Sequence, residues 1–145
     1  MIEEIKLGNR LLAVILRASY KADGIQFFTP REFSQQLAYM NRPAGHVIEP
    51  HLHNPVLREV MYTKEVLLIR SGRVRVDFYD EDQRYLQSRV LEPGDVTLLA
   101  FGGHGFEMLE ASEIVEIKQG PYAGDTDKTR FPSVPRQHLR VEAPE

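Results

Sequence analysis

Short apolar segments separated by turn residues follow one another from residue 44 to residue 119, and helical periodicity is absent from that region. The turns include Ser71-Gly72, Glu92-Pro93-Gly94-Asp95 and Gly102-Gly103. Short strands with a turn signal roughly every 8–12 residues are typical of antiparallel sandwiches and barrels. We therefore predict strands near residues 45–53, 59–70, 73–79, 84–91, 96–101, 104–110 and 113–119.

The first 43 residues predict two further strands and one helix. Ile2–Leu7 and Leu11–Leu16 are short, largely apolar and bounded by turn or polar residues, which is typical of strands. Thr29 is a suitable N-cap for a helix that begins at Pro30, and Glu32 completes a capping box. The spacing of the next apolar residues gives this helix one buried face before Pro43 ends it: Phe33, Leu37 and Met40.

These elements predict the organisation of the chain. The length of 145 residues suits one domain, which we expect to span residues 1–145. Strands and the helix would occupy residues 1–43, a barrel core residues 44–119, and a partly ordered tail residues 120–145. The expected fold is all-β, a single antiparallel β-barrel of the jelly-roll type with one short N-terminal helix.

The composition excludes several classes of protein. With 18 Lys and Arg against 21 Asp and Glu, the formal net charge is −3, which argues against a general nucleic-acid-binding surface. The longest apolar stretch is far shorter than the roughly 18 residues that a membrane span needs. The chain has no cysteine, which excludes thiol chemistry and fits a reducing cytoplasm. We therefore expect a cytoplasmic protein whose partners include neither nucleic acid nor membrane.

The sharpest local pattern is His51-Leu52-His53 in a predicted extended segment. Residues i and i+2 of a strand project from the same face, with Cα atoms about 7 Å apart. Two imidazoles in that arrangement could converge on one metal ion. Because the chain has no thiolate, any further ligands must be His, Asp or Glu.

Two longer patterns surround this pair. Five residues separate Gly45 from His51, and Glu65 begins an E-x6-G segment that ends at Gly72. Further along, the Glu92-Pro93-Gly94-Asp95 turn precedes an apolar segment and then His104. In these patterns the chain resembles the cupin superfamily, specifically the small single-domain cupins of the conserved barrel group. The motifs of that family are G-x5-H-x-H-x3–4-E-x6-G and G-x5-P-x-G-x2-H-x3-N. The resemblance covers about residues 44–118.

The chain departs from the family motifs in three places. Eleven residues separate His53 from Glu65, where the family has three or four, so Glu59 is an alternative acidic ligand. His104 comes one residue early, and Met108 replaces the closing asparagine. The resemblance nevertheless implies a metal site formed by His51, His53, Glu65 and His104. Strand alternation places Phe106 and Met108 on the same face as His104, so we expect them to line the pocket.

Imidazole and carboxylate ligands suit one divalent transition metal, which could be Fe, Mn, Ni, Co or Zn. We therefore expect a metal-binding protein, and more specifically a metal-dependent isomerase or oxygenase that acts on a small polar molecule such as a sugar derivative or an organic acid. Two alternatives stay open. One is a non-catalytic small-molecule-binding or sensory module, and the other is a metal-independent sugar-nucleotide isomerase or epimerase. The resemblance also implies a homodimer.

Overall fold

The computed structural model describes residues 1–144, and these form two compact units. The sandwich unit consists of residues 1–20 and the chain from Tyr62 onward, and the hairpin unit consists of Lys21–Met61. The all-β class is confirmed, since the described residues contain no helix of seven or more residues. In the same range, no helix is long and apolar enough to cross a membrane.

The strands of the two units alternate with short turns, as the apolar pattern predicts. In chain order they are β1 (Ile2–Leu7), β2 (Arg10–Leu16), β3 (Gly24–Phe27), β4 (Ala38–Asn41), β5 (Glu65–Ser71), β6 (Val74–Tyr79), β7 (Tyr85–Leu91), β8 (Val96–Leu99), β9 (Gly103–Met108) and β10 (Glu113–Lys118). The sandwich unit has a five-stranded sheet in the order β1-β2-β8-β5-β10 and a three-stranded sheet in the order β7-β6-β9. All of these pairings are antiparallel.

One hydrophobic core joins the two sheets. The five-stranded sheet contributes Ile5, Ala13, Leu67 and Ile69, and the three-stranded sheet contributes Val74, Val76, Phe78 and Leu91. These side chains are almost fully buried. Burial of large aliphatic and aromatic side chains is the main stabilising contribution in a fold of this size.

The two sheets are open, so the predicted closed barrel does not form. Among the described residues of these two sheets, four edge strands pair with another strand on one side only: β1, β7, β9 and β10. Closure would require those edges to pair with each other or with an additional strand. Leu11–Leu16 lies inside β2, between β1 and β8, and is therefore not a free edge.

The predicted helix from Pro30 to Pro43 is wrong. β3 and β4 form an antiparallel hairpin instead, with Gly24 opposite Asn41 and Phe27 opposite Ala38. The Thr29 hydroxyl does accept a backbone N–H, but it accepts that of Leu37 at 3.2 Å and so closes the hairpin loop. A threonine that caps a helix and one that closes a loop both accept a backbone N–H. The pairing of β3 with β4 therefore determines which of the two roles Thr29 has.

The predicted strand at 45–53 is also absent, since residues 47–60 of the hairpin unit contain no regular secondary structure. Pro50 and Pro55 flank the two histidines. Proline has no N–H to donate to a sheet, so it is confined to strand edges and bulges. Several apolar side chains of this segment are exposed as a result: Val47, Ile48, Leu52, Val56, Leu57 and Val60.

The sandwich unit buries an ionic network at the end of β2. Arg17 contacts Glu3 through Nε, and its Nη1 donates to Asp95 Oδ2 at 2.7 Å and to the carbonyl of Val90 at 2.7 Å. Glu3 also accepts from Arg89 Nε at 2.8 Å. The side chain of Arg17 is only 7% exposed. The network therefore ties β1, β7 and the turn before β8 to the chain after β2.

Candidate functional site

The interior of the sandwich is open to solvent along β9. On the inward face of the three-stranded sheet, Phe106 lies opposite Val76 and Met108 lies opposite Val74. Val74 and Val76 are fully buried, whereas Phe106 is 38% exposed and Met108 is 49% exposed. Neighbouring side chains on one face therefore differ in solvent exposure, because the facing sheet covers those of β6 and leaves those of β9 uncovered.

The opposite sheet opens in the same way along β10. Glu116 lies opposite Leu67, and Lys118 lies opposite Glu65. Leu67 is buried in the core, whereas about half of the Glu116 side chain is exposed. We call the opening along the inward faces of β9 and β10 the seam. Its walls carry Phe106 and Met108 on one side and Glu116 and Lys118 on the other.

A cluster of three ionisable groups closes one end of the seam. Glu65 Oε2 lies 3.2 Å from His104 Nε2, and Glu65 Oε1 lies 3.0 Å from Lys118 Nζ. Glu65 projects inward from the start of β5, and its side chain is only 7% exposed. His104 is contributed by the facing sheet, so the Glu65–His104 contact connects the two sheets across the interior.

This environment holds the Glu65 carboxylate in its charged form. The pKa of Glu65 is lowered from 4.5 to about 2, chiefly by the hydrogen bond from His104, which outweighs the opposing effect of burial. The hydrogen bond from Lys118 is a smaller cause of the same lowering. In return, the hydrogen bond to Glu65 is the largest cause that raises the pKa of Lys118. At neutral pH the seam therefore contains a buried carboxylate next to an ammonium group.

The seam contains four of the residues that the sequence analysis singled out: Glu65, His104, Phe106 and Met108. The sequence predicted the first two as metal ligands and the last two as pocket walls. His104 and Phe106 are stacked at a tilt, with ring centroids 5.3 Å apart. Lys118 is the residue that the sequence analysis missed. Strand alternation alone places it on one face of β10, but its position opposite Glu65 depends on the register between β10 and β5.

His51 and His53 lie in the hairpin unit, where both are exposed. Their rings meet edge to face with centroids 5.3 Å apart, and His51 Nδ1 lies 2.9 Å from the carbonyl oxygen of Glu49. Glu59, the alternative acidic ligand, is exposed in the same unit. The two histidines are neighbours, as an H-x-H pattern predicts, but they are not on a strand.

The described residues form no cluster of metal ligands of the kind that the motifs predict. Within residues 1–144, no three His, Asp or Glu side chains come close enough together to hold one. In the seam, Glu65 and His104 are two ligand-type residues, but Lys118 Nζ already supplies positive charge 3.0 Å from the carboxylate. An ammonium and a divalent cation compete for the same oxygen. A metal ion at Glu65 would therefore have to displace the ammonium group of Lys118.

Two glycines before His104 allow β6 and β9 to approach closely. Gly102 has a φ of +73°, and a Cβ at this position would lie 2.3 Å from the carbonyl oxygen of Tyr79. At Gly103, a Cβ would lie 2.7 Å from the ring of Phe131. Both distances are shorter than van der Waals contact, but the end of the Phe131 ring can move aside and the backbone carbonyl of Tyr79 cannot. Gly102 is therefore the position that requires glycine.

A glycine-to-alanine comparison tests this requirement. Gly8 also has a positive φ (+58°), but no atom lies within 4 Å of the place that a Cβ would occupy there. We expect Gly8→Ala to lower the free energy of unfolding by about 1–2 kcal/mol, from backbone strain alone. Gly102→Ala should cost about 1–3 kcal/mol more, because the side chain overlaps a backbone carbonyl. Urea denaturation measures both, and equal losses would contradict the close approach of β6 and β9.

Fold and site together define an all-β sandwich with an open seam that ends in a carboxylate–imidazole–ammonium cluster. Comparisons with protein-family models, curated proteins and solved structures found no match to this chain. The arguments on function therefore start from the residues of the seam.

Proposed function

We propose that the seam binds a small organic acid and that His104 exchanges a proton with it, without a metal ion. The observation that carries this proposal is the contact of 3.2 Å between Glu65 Oε2 and His104 Nε2. A carboxylate that binds one imidazole nitrogen orients the ring and sets which nitrogen carries the proton. Histidine in such a setting is the commonest general acid or base in enzymes.

Each side chain of the seam has a separate role in this proposal. Glu65 stays ionised and accepts the hydrogen bond of His104 Nε2, which leaves Nδ1 as the nitrogen that Glu65 does not engage. The ammonium group of Lys118 lies 3.0 Å from Glu65 and 3.8 Å from Glu116, and with three N–H donors it can also bind an anionic group of the ligand. Phe106 and Met108 provide apolar surface for the carbon skeleton. An organic acid matches this combination of a cation and an apolar wall better than a sugar derivative, which is polar throughout.

A metal-dependent enzyme of the cupin type is the second candidate. It is supported by the meeting of Glu65 and His104, because the resemblance takes one of these residues from each of the two cupin motifs. The all-β sandwich is compatible with it as well. This candidate needs a transition metal to displace the ammonium group of Lys118 from Glu65 and to recruit His51 and His53. A non-catalytic binding or sensory protein is the third candidate, and it needs only the seam.

Elemental analysis and ligand binding separate these candidates. The purified protein is analysed for Fe, Mn, Ni, Co and Zn before and after incubation with each ion under reducing conditions, beside a His51→Ala/His53→Ala variant. We expect substoichiometric metal in both proteins and no difference between them. One equivalent of metal that is lost in the double variant would contradict the proposal and support the metal-dependent enzyme.

Binding of small carboxylic acids and sugar derivatives is then measured by calorimetry. We expect an acid to bind, Lys118→Met to weaken its binding by about tenfold or more, and His138→Gln, a change in the exposed tail, to have no effect. Incubation of the bound acid with the protein tests for turnover. A chemically changed acid, with a rate that His104→Gln abolishes, supports proton transfer. Recovery of the unchanged acid, without exchange of its α-hydrogen for deuterium in D2O, would support the non-catalytic binding protein instead.

A further inference from the structure

The C-terminal segment Phe131–Glu142, which we call the tail, lies on the outer face of the three-stranded sheet. This face is opposite to the seam, because Arg75, Asp77 and Tyr79 alternate with the core residues of β6. The ring of Phe131 packs against that of Tyr79, with centroids 5.0 Å apart. Within the tail, only Phe131, Val134 and Leu139 are half-buried, and the other described residues are exposed. The tail is therefore held at a few discrete points.

Two tyrosine hydroxyl groups bind the backbone of the tail. The N–H of Val134 donates to Tyr79 Oη at 3.0 Å, and the N–H of Arg140 donates to Tyr85 Oη at 2.8 Å. Tyr85 Oη lies 2.7 Å from Ser88 Oγ, and the Ser88 hydroxyl donates to Asp77 Oδ1. This partly buried chain of hydrogen bonds orients Tyr85, so the acceptor for the tail is held in place by the sheet itself.

At its end the tail forms a single parallel β-bridge with the edge of β7, between Val141 and Ser88. The N–H of Ser88 donates to the carbonyl of Arg140 at 2.9 Å, and the N–H of Glu142 donates to the carbonyl of Ser88 at 3.1 Å. Arg89 Nη2 pairs with Glu142 at 2.9 Å, and Arg136 pairs with Glu107 at 3.2 Å. Backbone pairing at a sheet edge combined with side-chain anchors is a recurrent way to bind an extended peptide.

The connection between the sandwich and the tail is mostly exposed, and a hydrogen bond of 2.6 Å from the Thr63 hydroxyl to Asp127 ties it to the sandwich. Residues 120–130 are exposed except for the half-buried Gly124, and they contain only a short 3-10 turn, Gly124–Asp127. Fully extended, eleven residues reach roughly 35–40 Å, which is enough to span the distance to a neighbouring molecule. A groove with specific anchors and a long, exposed connection is the combination that allows two copies to exchange a terminal segment.

We propose that the outer face of the three-stranded sheet is a peptide-binding groove that accepts the tail of a second copy of this chain, so that two copies form a tail-exchanged dimer. The contacts between tail and groove would be the same whether the tail binds the groove of its own molecule or that of a second copy. A connection of this length gives the tail an effective concentration of about a millimolar, so the wild-type dimer becomes abundant only as the protein concentration approaches that range.

Two full-length variants remove the competition from each molecule's own tail. The groove variant, Tyr79→Phe/Tyr85→Phe, loses both hydroxyl acceptors and keeps a normal tail. The tail variant, Phe131→Ser/Val134→Ser, loses two half-buried anchors and keeps a normal groove. We expect each variant alone to be monomeric by light scattering, and an equimolar mixture to form a 1:1 heterodimer at about 0.1 mM, well below the concentration that wild type needs.

Circular dichroism and thermal unfolding establish that both variants are folded, and a labelled synthetic peptide of residues 129–144 provides a second measurement. The peptide should bind the tail variant at least tenfold more tightly than the groove variant. A mixture that stays monomeric while the tail variant binds the peptide would overturn the exchange between copies. A mixture that stays monomeric without peptide binding would overturn the groove as well.

Discussion

Replacement of Glu65 by glutamine should lower the free energy of unfolding by about 1.5–3 kcal/mol at pH 7, because two hydrogen bonds between charged or ionisable groups lose their carboxylate. The variant should also lose part of the dependence of stability on pH. The pKa of Glu65 is lowered to about 2 in the folded protein, against 4.5 without these partners. Its contribution is therefore complete above pH 4.5 and disappears as the pH falls towards 2.

Urea denaturation of wild type and Glu65→Gln between pH 7 and pH 2 measures this contribution. The full shift in pKa corresponds to at most about 3 kcal/mol, and solvent screening at the mouth of the seam reduces it to about 1–2 kcal/mol. The stability difference between the two proteins should shrink by that amount over this interval. Glu113→Gln, on the exposed end of β10, is the matched control and should follow the wild-type curve. A constant difference down to pH 2 would contradict the pairing of Glu65 with His104 and Lys118.

Replacement of Arg17 by methionine should destabilise the protein by about 3–5 kcal/mol, because it leaves Glu3 and Asp95 as buried carboxylates that have lost a cationic partner. Methionine retains much of the aliphatic length of arginine, so the loss reflects charge and hydrogen bonds more than volume. Equilibrium denaturation in urea measures the effect.

Arg84→Met is the control for this change. Arg84 also contacts two carboxylates, those of Asp80 and Asp82, but its side chain is 72% exposed. Exposed ion pairs contribute little to stability, so this variant should unfold at the same urea concentration as wild type. Equal midpoints for Arg17→Met and Arg84→Met would show that the network at the end of β2 does not stabilise the fold.

The strands were predictable from sequence wherever apolar residues recur between turn signals. β1 was predicted with its observed bounds, and segments such as 73–79 and 113–119 agree with β6 and β10 to within one residue. Short runs rich in β-branched and aromatic residues between turn signals are enough for these elements, and they identify β6, which is buried along its whole length, as well as the more exposed β10. The helix after Thr29 and the strand around His51 were wrong, since capping chemistry and an H-x-H spacing do not reveal which distant residues pair.

The seam shows the same limit for a functional site. Alternation along β9 places His104, Phe106 and Met108 on one face. The resemblance to the cupin motifs identified Glu65 as a candidate site residue. The partner that determines the charge of the site, Lys118, comes from the register of β10 against β5. A shift of that register by one residue would turn Lys118 away from Glu65, and local sequence carries no information on the choice.

The place of β8 in the five-stranded sheet affects how the chain assembles. β1 and β2, like β6 and β7, are neighbours in sequence and form pairs by closing short loops, whereas β8 brings Leu99 opposite Ala13. β8 also pairs with β5, so it connects the N-terminal strands to the rest of the sheet. The chain between Ala13 and Leu99 is a long loop, and closing it costs chain entropy before any contact forms. Sheets with such distant pairings fold in about milliseconds to seconds. Until β8 arrives, the edges of β2 and β5 stay available to other chains, so the interval before its docking is when aggregation competes with folding.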